Sequence, residues 1–469
     1  MDWHQEGGDC MNVLAMSYED MPYYLKSCFI YLASFPEDYQ ISARILINRW
    51  VAEGFIPEQG KKTMEETAEI FLEQLYERSM VQVSRRYSNG SIKYCRVHDL
   101  LLDLAMHEAR KVNFVTVFQK IPQDSHTDRV TRRVSIQPDQ SVDDDSKFIK
   151  YIDPNTRSLL RFGIRLRDYS ISIIDFRLLR VLEIEGETDN CELRGLDGLI
   201  HLKYLGFENY SGFKVSSDFR WDRLKNLETL IGPVREPMGL WKIRTLRHVI
   251  SKNDYFEGPP ASADLRNLQT LEWISSTCLK AWHKNQLPLL NNLRKFGLYM
   301  EDEIENVEWD MVGYLLATLP YLRSLKITGY KFPKEIVYPW RLPNSHNLER
   351  FRLWGRWADN VTAEACLFPP HLVKLSLWGS KLAVDPMPEL GKLKSLKKLE
   401  LGGMVYVGGR EMICPTGFPA LLTLILQFDN TDNFTVMEGV MPKLKHLINR
   451  QRATKLNLPP ELEHFQTIH

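Results

Sequence analysis

One short pattern recurs through most of the chain and constrains its fold more than any other feature. Residues 372–377 read Leu-x-x-Leu-x-Leu, residues 348–353 keep the spacing with phenylalanine in the middle, and residues 396–401 repeat it. In such a unit a short strand directs its leucines into a core, and one unit cannot bury that apolar side alone. The pattern therefore predicts a stack of similar units.

Further anchors of this spacing predict a leucine-rich-repeat array that continues from residue 159 to the end. The units lie roughly 18 to 29 residues apart, within or near the usual range for this repeat. The predicted anchors outside the three units above are Leu179, Leu182, Ile184, Leu202, Leu205, Phe207, Leu227, Leu230, Leu246, Val249, Leu268, Leu271, Trp273, Leu293, Phe296, Leu298, Leu322, Leu325, Ile327, Leu421, Leu424, Leu426, Leu444, Leu447, Leu462 and Phe465.

Composition narrows the class of protein. The 60 basic residues balance the 60 acidic residues, so no net field favours nucleic acid or an anionic membrane. The seven cysteines are scattered and form no C-x-x-C pair, which predicts reduced thiols in an intracellular protein. No apolar run approaches the roughly 20 residues of a membrane span, and we expect no signal peptide. The expected location is the cytoplasm, with the nucleus and the membrane periphery as alternatives.

The N-terminal part predicts helices followed by a β-hairpin. Apolar residues recur at helical spacing after Pro22, and Ser42 and Gly54 are expected to cap a second helix. Residues 63–66 form a capping-box sequence for a third helix. Asn89-Gly90 between two alternating runs is a strong hairpin signal. A last helix is expected from Asp99, with its inner residues at Leu100, Leu101, Leu104 and Ala105.

These elements predict an α+β fold in two parts. We expect a winged-helix domain at 12–118, a linker at 119–129 and an irregular leucine-rich-repeat solenoid, an α/β horseshoe, at 130–469. A winged helix suggests DNA binding, but the third helix is acidic and would meet phosphates with like charge. Its glutamates are Glu65, Glu66, Glu69, Glu73 and Glu77. We therefore expect no nucleic-acid partner.

Three motifs in the N-terminal part resemble a known family. They are Cys-Phe-Ile-Tyr-Leu-Ala-Ser-Phe-Pro-Glu-Asp at 28–38, Trp-Val-Ala-Glu-Gly-Phe-Ile at 50–56 and Val-His-Asp-Leu-Leu-Leu-Asp-Leu-Ala at 97–105. In this order they resemble the winged helix of plant intracellular immune receptors, the coiled-coil class of nucleotide-binding leucine-rich-repeat disease-resistance proteins. The resemblance covers residues 12–469. It implies a non-enzymatic role in plant defence through binding a pathogen effector, a guarded host protein or the receptor's nucleotide-binding core.

The resemblance gives His98 an expected role. In the family, the histidine of a Met-His-Asp triplet contacts the β-phosphate of ADP, and Val97 replaces the methionine here. The alternative is that His98 only leaves the hairpin and Asp99 caps the next helix. The one glycine-rich stretch before a Lys-Thr pair, at 54–63, has the wrong spacing for a phosphate loop. We expect no cofactor for this chain alone, with ADP or ATP in the full family.

The strand residues between the leucines predict a partner-binding face, because side chains alternate along a strand. Aromatic residues share one register and basic residues line the adjacent rows, which is the composition of an interface hot spot. The predicted site residues are Tyr299, Arg350, Arg352, Trp354, Lys374, Trp378 and Lys398. The alternative is that the two tryptophans are buried against loops and serve only packing.

Catalytic and metal sites are not expected, because no tandem His, Cys or carboxylate set with suitable spacing is found. One further class of function stays open from the sequence. A leucine-rich-repeat substrate receptor of a ubiquitin ligase would use the N-terminal helices as an adaptor-binding box. Such a box is shorter and needs no hairpin, so this alternative ranks second.

Overall fold

The computed structural model describes residues 8–60, 62–87, 90–121, 132–137, 145–163, 169–186, 191–208, 213–214, 219–232, 239–251, 255–282, 288–300, 306–332, 347–357, 368–450 and 454–464. The chain divides into two compact units, one made mainly of residues up to Leu246 and the other mainly of residues from Arg247 onward. Within the described residues, no helix combines the length and the apolar character that crossing a membrane requires.

The first unit begins with helices and a small antiparallel sheet in the predicted winged-helix order. The helices are α1 (Gly8–Glu19), α2 (Tyr23–Ile30), α3 (Ala43–Glu53), α4 (Met64–Glu77) and α5 (Asp99–Lys111). The strands are β1 (Ile41–Ser42), β2 (Gln82–Arg86) and β3 (Ile92–Arg96), and β3 lies between the other two. The predicted hairpin is confirmed as the antiparallel β2–β3 pair, although Asn89 lies outside the described residues.

Local sequence signals set the helix ends. The predicted capping box is present at α4, because the Glu66 amide donates to Thr63 Oγ1 at 3.2 Å and the Thr63 amide donates to Glu66 Oε2 at 2.9 Å. Gly54 ends α3 in the left-handed region at φ 82°, where glycine is favoured. Ser42 occupies the N-cap of α3, but its hydroxyl makes no cap hydrogen bond.

Two predictions for α5 are wrong by one residue. The N-cap is His98 instead of Asp99, and the Leu100 amide donates to His98 Nδ1 at 3.4 Å. Leu100 is exposed, whereas Leu102, which the sequence does not place on the inner side, is buried. The run of three leucines after Asp99 gives the sequence no way to choose which of them face inward.

The rest of the first unit is a parallel ladder of short strands. Its strands are β4 (Thr116–Phe118), β5 (Arg133–Ile136), β6 (Ser158–Arg161), β8 (Val181–Glu185), β10 (Tyr204–Glu208) and β12 (Thr229–Ile231). A second parallel sheet contains β7 (Tyr169–Ser172), β9 (Cys191–Arg194) and β11 (Phe213–Lys214). Because β4 pairs with β5, this ladder includes strands from both sides of the predicted linker. The domain boundaries themselves stay predictions.

The second unit is a parallel ladder of the same kind. Its strands are β13 (His248–Ile250), β14 (Thr270–Ser275), β15 (Lys295–Met300), β16 (Ser324–Phe332), β17 (Arg350–Trp357), β18 (Lys374–Trp378), β19 (Lys398–Gly403), β21 (Thr423–Phe428) and β23 (His446–Asn449). A second parallel sheet contains β20 (Glu411–Cys414), β22 (Asn433–Val436) and β24 (Lys455–Asn457). The helices are α6 (Thr277–Ala281), α7 (Asn306–Thr318) and α8 (Met387–Leu390).

The predicted repeat anchors form the core of both ladders. With one exception, those that lie in the described residues are buried, and Phe465 lies outside these residues. The exception is Trp273, which the sequence places in the core as the third anchor of its unit. The pairing of β14 with β15 shifts after Leu271, and Ile274 takes the core position opposite Leu298. Trp273 therefore occupies the extra position of a bulge, with φ 71°, and stays half-buried.

Candidate functional site

The strand register confirms the predicted alignment of residues along one face of the second unit. Arg350, Lys374 and Lys398 occupy one row across β17, β18 and β19. Trp354 lies opposite Trp378 in another row. Side chains of one row stand only about 5 Å from those on the next strand, so they can interact across the ladder.

The two tryptophans form a partly exposed pair. Trp354 is 53 % exposed, and its ring centroid lies 5.8 Å from that of Trp378 at an interplanar angle of 32°. Trp378 is half-buried, and its Nε1 donates to Ser376 Oγ at 3.1 Å. A Cβ on Gly402 would overlap the Trp378 indole, so the ring occupies space that only glycine leaves free. The tryptophan pair is thus partly exposed, and the Trp378 ring is held in place by Ser376 and by the space at Gly402.

Tyr299 does not extend this pair. It belongs to the same row, but Thr328 lies between it and Trp354 in the register. Its ring stacks on Tyr255 with the centroids 3.9 Å apart and the planes 7° apart. The aligned aromatic row that the sequence predicts is therefore two separate aromatic pairs.

Next to the tryptophans, three cationic side chains surround one carboxylate. Glu400 Oε1 lies 3.0 Å from Lys374 Nζ and 2.9 Å from Lys398 Nζ. Glu400 Oε2 lies 3.9 Å from an Arg352 Nη atom. Glu400 is buried, whereas Arg352 keeps 39 % of its side chain exposed. Because one carboxylate cannot neutralise three cations, this group carries a surplus of two positive charges.

The pKa values reflect this crowding. Burial lowers the pKa of Lys374 to about 8; Glu400 opposes the shift, and the positive charges of Lys398 and Arg352 add to it. Burial alone would raise the pKa of Glu400, but Lys374 and Lys398 outweigh it and bring it to about 2. Glu400 is therefore ionised at neutral pH, and Lys374 is close to its titration point.

Glu400 lies between Leu399 and Leu401 and therefore belongs to this face, but the site predicted from the sequence does not include it, Ser376 or Gly402. A second ion pair, Lys326 Nζ with Glu272 Oε2 at 2.8 Å, joins β16 to β14 across the intervening strand β15. The same Lys326 ammonium lies 5.7 Å from the Trp273 ring centroid. Because of the bulge in β14, Trp273, which the sequence places in the core, lies beside Lys326 on this polar face.

The corresponding face of the first unit is occupied by α3. Arg49 Nη2 lies 2.9 Å from Glu183 Oε2, and both side chains are almost fully buried. One helical turn later, Glu53 pairs with Arg133 at 2.9 Å and accepts a hydrogen bond from Ser158. These partners belong to β5, β6 and β8. Helix α3 of the winged helix therefore packs against those strands and covers their shared face.

Aromatic rings complete the surroundings of Arg49. Its guanidinium carbon lies 5.2 Å from the Phe35 centroid and 5.8 Å from those of Phe162 and Tyr204. Burial alone would lower the pKa of Arg49, but Glu183 outweighs it, helped by Tyr204 and Tyr31, and the pKa stands well above its usual value. Arg49 is therefore a charged residue fixed inside the fold, where it serves packing between α3 and the repeats.

His98 lies exposed at the start of α5. Because its Nδ1 accepts the Leu100 amide, a neutral ring carries its proton on Nε2. The ring thus has a single N–H donor left for a ligand. This geometry fits one hydrogen bond to a phosphate oxygen. Among the described residues, no group of three or more His, Cys, Asp or Glu side chains is arranged to hold a metal ion.

Comparison with known proteins agrees with this architecture. Residues 155–467 match the family model of the leucine-rich repeat region, and residues 35–105 match that of the disease resistance protein winged helix domain. The putative disease resistance RPP13-like protein 2 of Arabidopsis thaliana is 32 % identical over 96 % of this chain and 53 % of its own length. The disease resistance protein RPP13 of the same plant is 31 % identical over 97 % of this chain and 52 % of its own length.

The solved structures that are similar to this chain include an internalin of Listeria monocytogenes. Its TM-score is 0.41, and it is 11 % identical over 64 % of this chain and 84 % of the internalin. The two family models and the plant relatives define the class: a leucine-rich-repeat protein with a winged helix of the disease-resistance type. The chain belongs to the plant disease-resistance proteins with leucine-rich repeats. It spans about half the length of the curated relatives that it matches.

Proposed function

We propose that the chain acts in plant defence by binding a protein partner through one face of its second unit. The Trp354–Trp378 pair carries this proposal, together with the adjacent group of Arg352, Lys374, Lys398 and Glu400, which we call the Glu400 cluster. Aromatic and arginine side chains that are partly exposed and held in place are typical of interface hot spots. The equivalent strands of the first unit are covered by α3, so that face offers no such surface at Glu183.

Proximity labelling in leaf cells tests this proposal. The chain, fused to a biotin ligase, should label a protein that the Trp354→Ala variant no longer labels. Tyr321→Ala is the matched control, because Tyr321 is 55 % exposed in the turn before β16 and lies off the strands of the face. Labelling by wild type and both variants alike would contradict the proposal.

The labelled protein is then purified and its affinity for the chain is measured by calorimetry. Truncating an interface tryptophan costs roughly 2 kcal/mol or more when the ring is an anchor. We therefore expect a clear loss of affinity for Trp354→Ala and none for Tyr321→Ala. The pathogen effector, the guarded host protein and the nucleotide-binding core of a receptor are the three partners that the family resemblance offers.

A separate proposal concerns His98 in a receptor that includes a nucleotide-binding core. There, its free Nε2–H would donate to a phosphate of ADP, and His98→Ala would weaken nucleotide retention. For the chain by itself, one such contact contributes roughly 1.5–3 kcal/mol, whereas micromolar binding needs about 8 kcal/mol. Calorimetry of the chain with ADP should therefore detect no binding, and micromolar affinity would overturn this expectation.

Recognition without catalysis is the proposed mode of action, which agrees with the repeat architecture. The relatives named above are disease-resistance proteins, and they give no support to the ubiquitin-ligase receptor. The winged-helix match over residues 35–105 also accounts for the hairpin that an adaptor-binding box would not need. A cytoplasmic location remains part of the proposal.

A further inference from the structure

The charge of the Glu400 cluster indicates the chemistry of the partner. Arg352, Lys374 and Lys398 meet a single carboxylate, which leaves two positive charges uncompensated within the group. Lys374 is crowded by Lys398 and Arg352, so an added negative charge there relieves repulsion as well as forming new pairs. The group is therefore electrostatically complementary to an anionic side chain.

The tryptophan pair adds a second requirement at a fixed spacing. Trp354 follows Arg352 by two residues on β17, and Trp378 follows Lys374 by four residues on β18. At about 3.3 Å per strand residue, the anion-binding and aromatic positions lie roughly 7 to 13 Å apart. An extended peptide that runs along the strands has the same rise, so it spans this distance with two to four residues.

We propose that this face, whose role in recognition rests on the function proposed above, binds an extended acidic peptide segment of a partner protein. An Asp or Glu of the segment pairs with Arg352 and the two lysines, and an aromatic or large aliphatic residue two to four positions away packs on Trp354 and Trp378. Gly402 is a positioning residue, because it leaves the space in which the Trp378 ring lies.

A random peptide library displayed on phage and panned on the full chain tests the proposal, and it does not require the partner to be identified. Peptides that bind wild type but not the Trp354→Ala/Trp378→Ala double variant are sequenced. We expect them to share an acidic residue two to four positions from an aromatic or leucine residue. Trp-dependent peptides without an acidic preference would overturn the proposal, and so would the recovery of no Trp-dependent peptide.

Synthetic copies of the enriched peptides measure the charge requirement. Replacing the acidic residue by its amide should weaken binding roughly tenfold, as should Arg352→Glu in the chain. Lys394→Glu is the matched control, because it makes the same charge change at an exposed residue in the turn before β19. An equal loss in both variants would show a general charge effect and contradict a specific site.

Two further arms separate this inference from its alternatives. Poly-dT is added as a competitor, because aromatic and basic surfaces also bind single-stranded nucleic acid. Displacement of the peptides by poly-dT at comparable affinity would replace the peptide proposal by a nucleic-acid one. If a labelled leaf protein depends on Trp354 but the enriched peptides are not acidic, only the present inference fails. If neither depends on Trp354, the proposed function fails as well.

Gly402→Ala tests the positioning role. The added methyl group should displace the Trp378 ring and weaken binding of the peptides, although the variant leaves every charge in place. Tryptophan fluorescence reports the displacement independently of binding. Unchanged affinity together with a shifted spectrum would remove Gly402 and Trp378 from the site.

Discussion

At the residue scale, two carboxylates on ladder strands hold cations in opposite ways. Glu183 is fully buried and meets Arg49, with the Tyr204 hydroxyl donating to it, so its charge is used within the fold. Glu400 meets three cations, and the positive surplus stands beside the partly exposed Trp354. The Arg49–Glu183 pair stabilises the first unit, whereas the Glu400 cluster keeps an excess of positive charge that an anionic partner can neutralise.

Breaking the buried pair should destabilise the first unit strongly. Arg49→Met leaves Glu183 charged and buried without its main partner, and such a loss costs about 3–5 kcal/mol. Arg410→Met removes an exposed pair with Asp432, which contributes about 0–1 kcal/mol. Urea unfolding followed by circular dichroism compares the variants. Similar midpoints for both variants would show that the buried pair has no special weight.

The pKa of Lys374 should respond to Glu400. Glu400→Gln removes the negative charge that supports the ammonium, so the pKa of Lys374 should fall below about 8. Nuclear magnetic resonance of ¹³C-labelled lysine measures it, and Glu389→Gln, in the exposed pair with Lys392, is the control. An unchanged or raised pKa in Glu400→Gln would contradict the cluster geometry.

The same titration predicts a pH dependence of binding. Arg350 and Arg352 on β17 and Lys398 and Glu400 on β19 are the charged neighbours that face Lys374 in the ladder. Lys374 attracts an acidic partner only while its ammonium group is protonated. The affinity for that partner should therefore decrease as the pH rises through about 8. Lys374→Arg should flatten this profile, because arginine keeps its charge. Identical profiles for wild type and variant would exclude Lys374 from the anion site.

At the scale of single elements, alternation along β17 separates recognition from packing. Trp354 is 53 % exposed, whereas Trp357, three residues later on the same strand, is 1 % exposed and packs near Phe368. The leucine spacing was sufficient to predict the strand and the side on which Trp354 lies. It could not predict how far the ring protrudes, because Trp354 packs against Trp378 of the next repeat, whose own ring is placed by Ser376 and by the space at Gly402.

This difference gives a direct stability test. Trp357→Ala should lower the free energy of unfolding by about 3–5 kcal/mol, since it empties a packed core position. Trp354→Ala should change stability far less, because its ring is largely outside the core. Thermal denaturation measures both variants. A large loss of stability for Trp354→Ala would mean that this ring serves packing, as the alternative from the sequence holds.

The capping box of α4 can be tested against a helix that lacks one. Thr63→Ala removes the hydroxyl that accepts the Glu66 amide and should cost about 1 kcal/mol. Ser42→Ala at the N-cap of α3 should cost less, because that hydroxyl makes no cap hydrogen bond. Urea midpoints give the two values, and a larger effect at Ser42 would be inconsistent with the observed caps.

At the scale of the whole chain, the sequence predicted the winged helix, the repeats and the row of basic residues from short-range patterns alone. It missed what depends on distant partners. Arg49 and Glu53 have the spacing of an exposed helical pair, yet their partners are Glu183, Arg133 and Ser158 on later strands. The bulge at Trp273 was also missed, because one extra residue in β14 does not interrupt the leucine spacing.

Photo-cross-linking tests the central claim, recognition through one face of the second unit, most directly. A photoreactive amino acid replaces Gln427, which lies opposite Gly402 in the tryptophan row, and in a second sample it replaces Tyr321 in the turn before β16. With the protein identified by proximity labelling, we predict cross-links from position 427 that disappear in the Trp354→Ala background, and none from position 321. Cross-links from position 321 alone, or cross-links from position 427 that persist in Trp354→Ala, would contradict the claim.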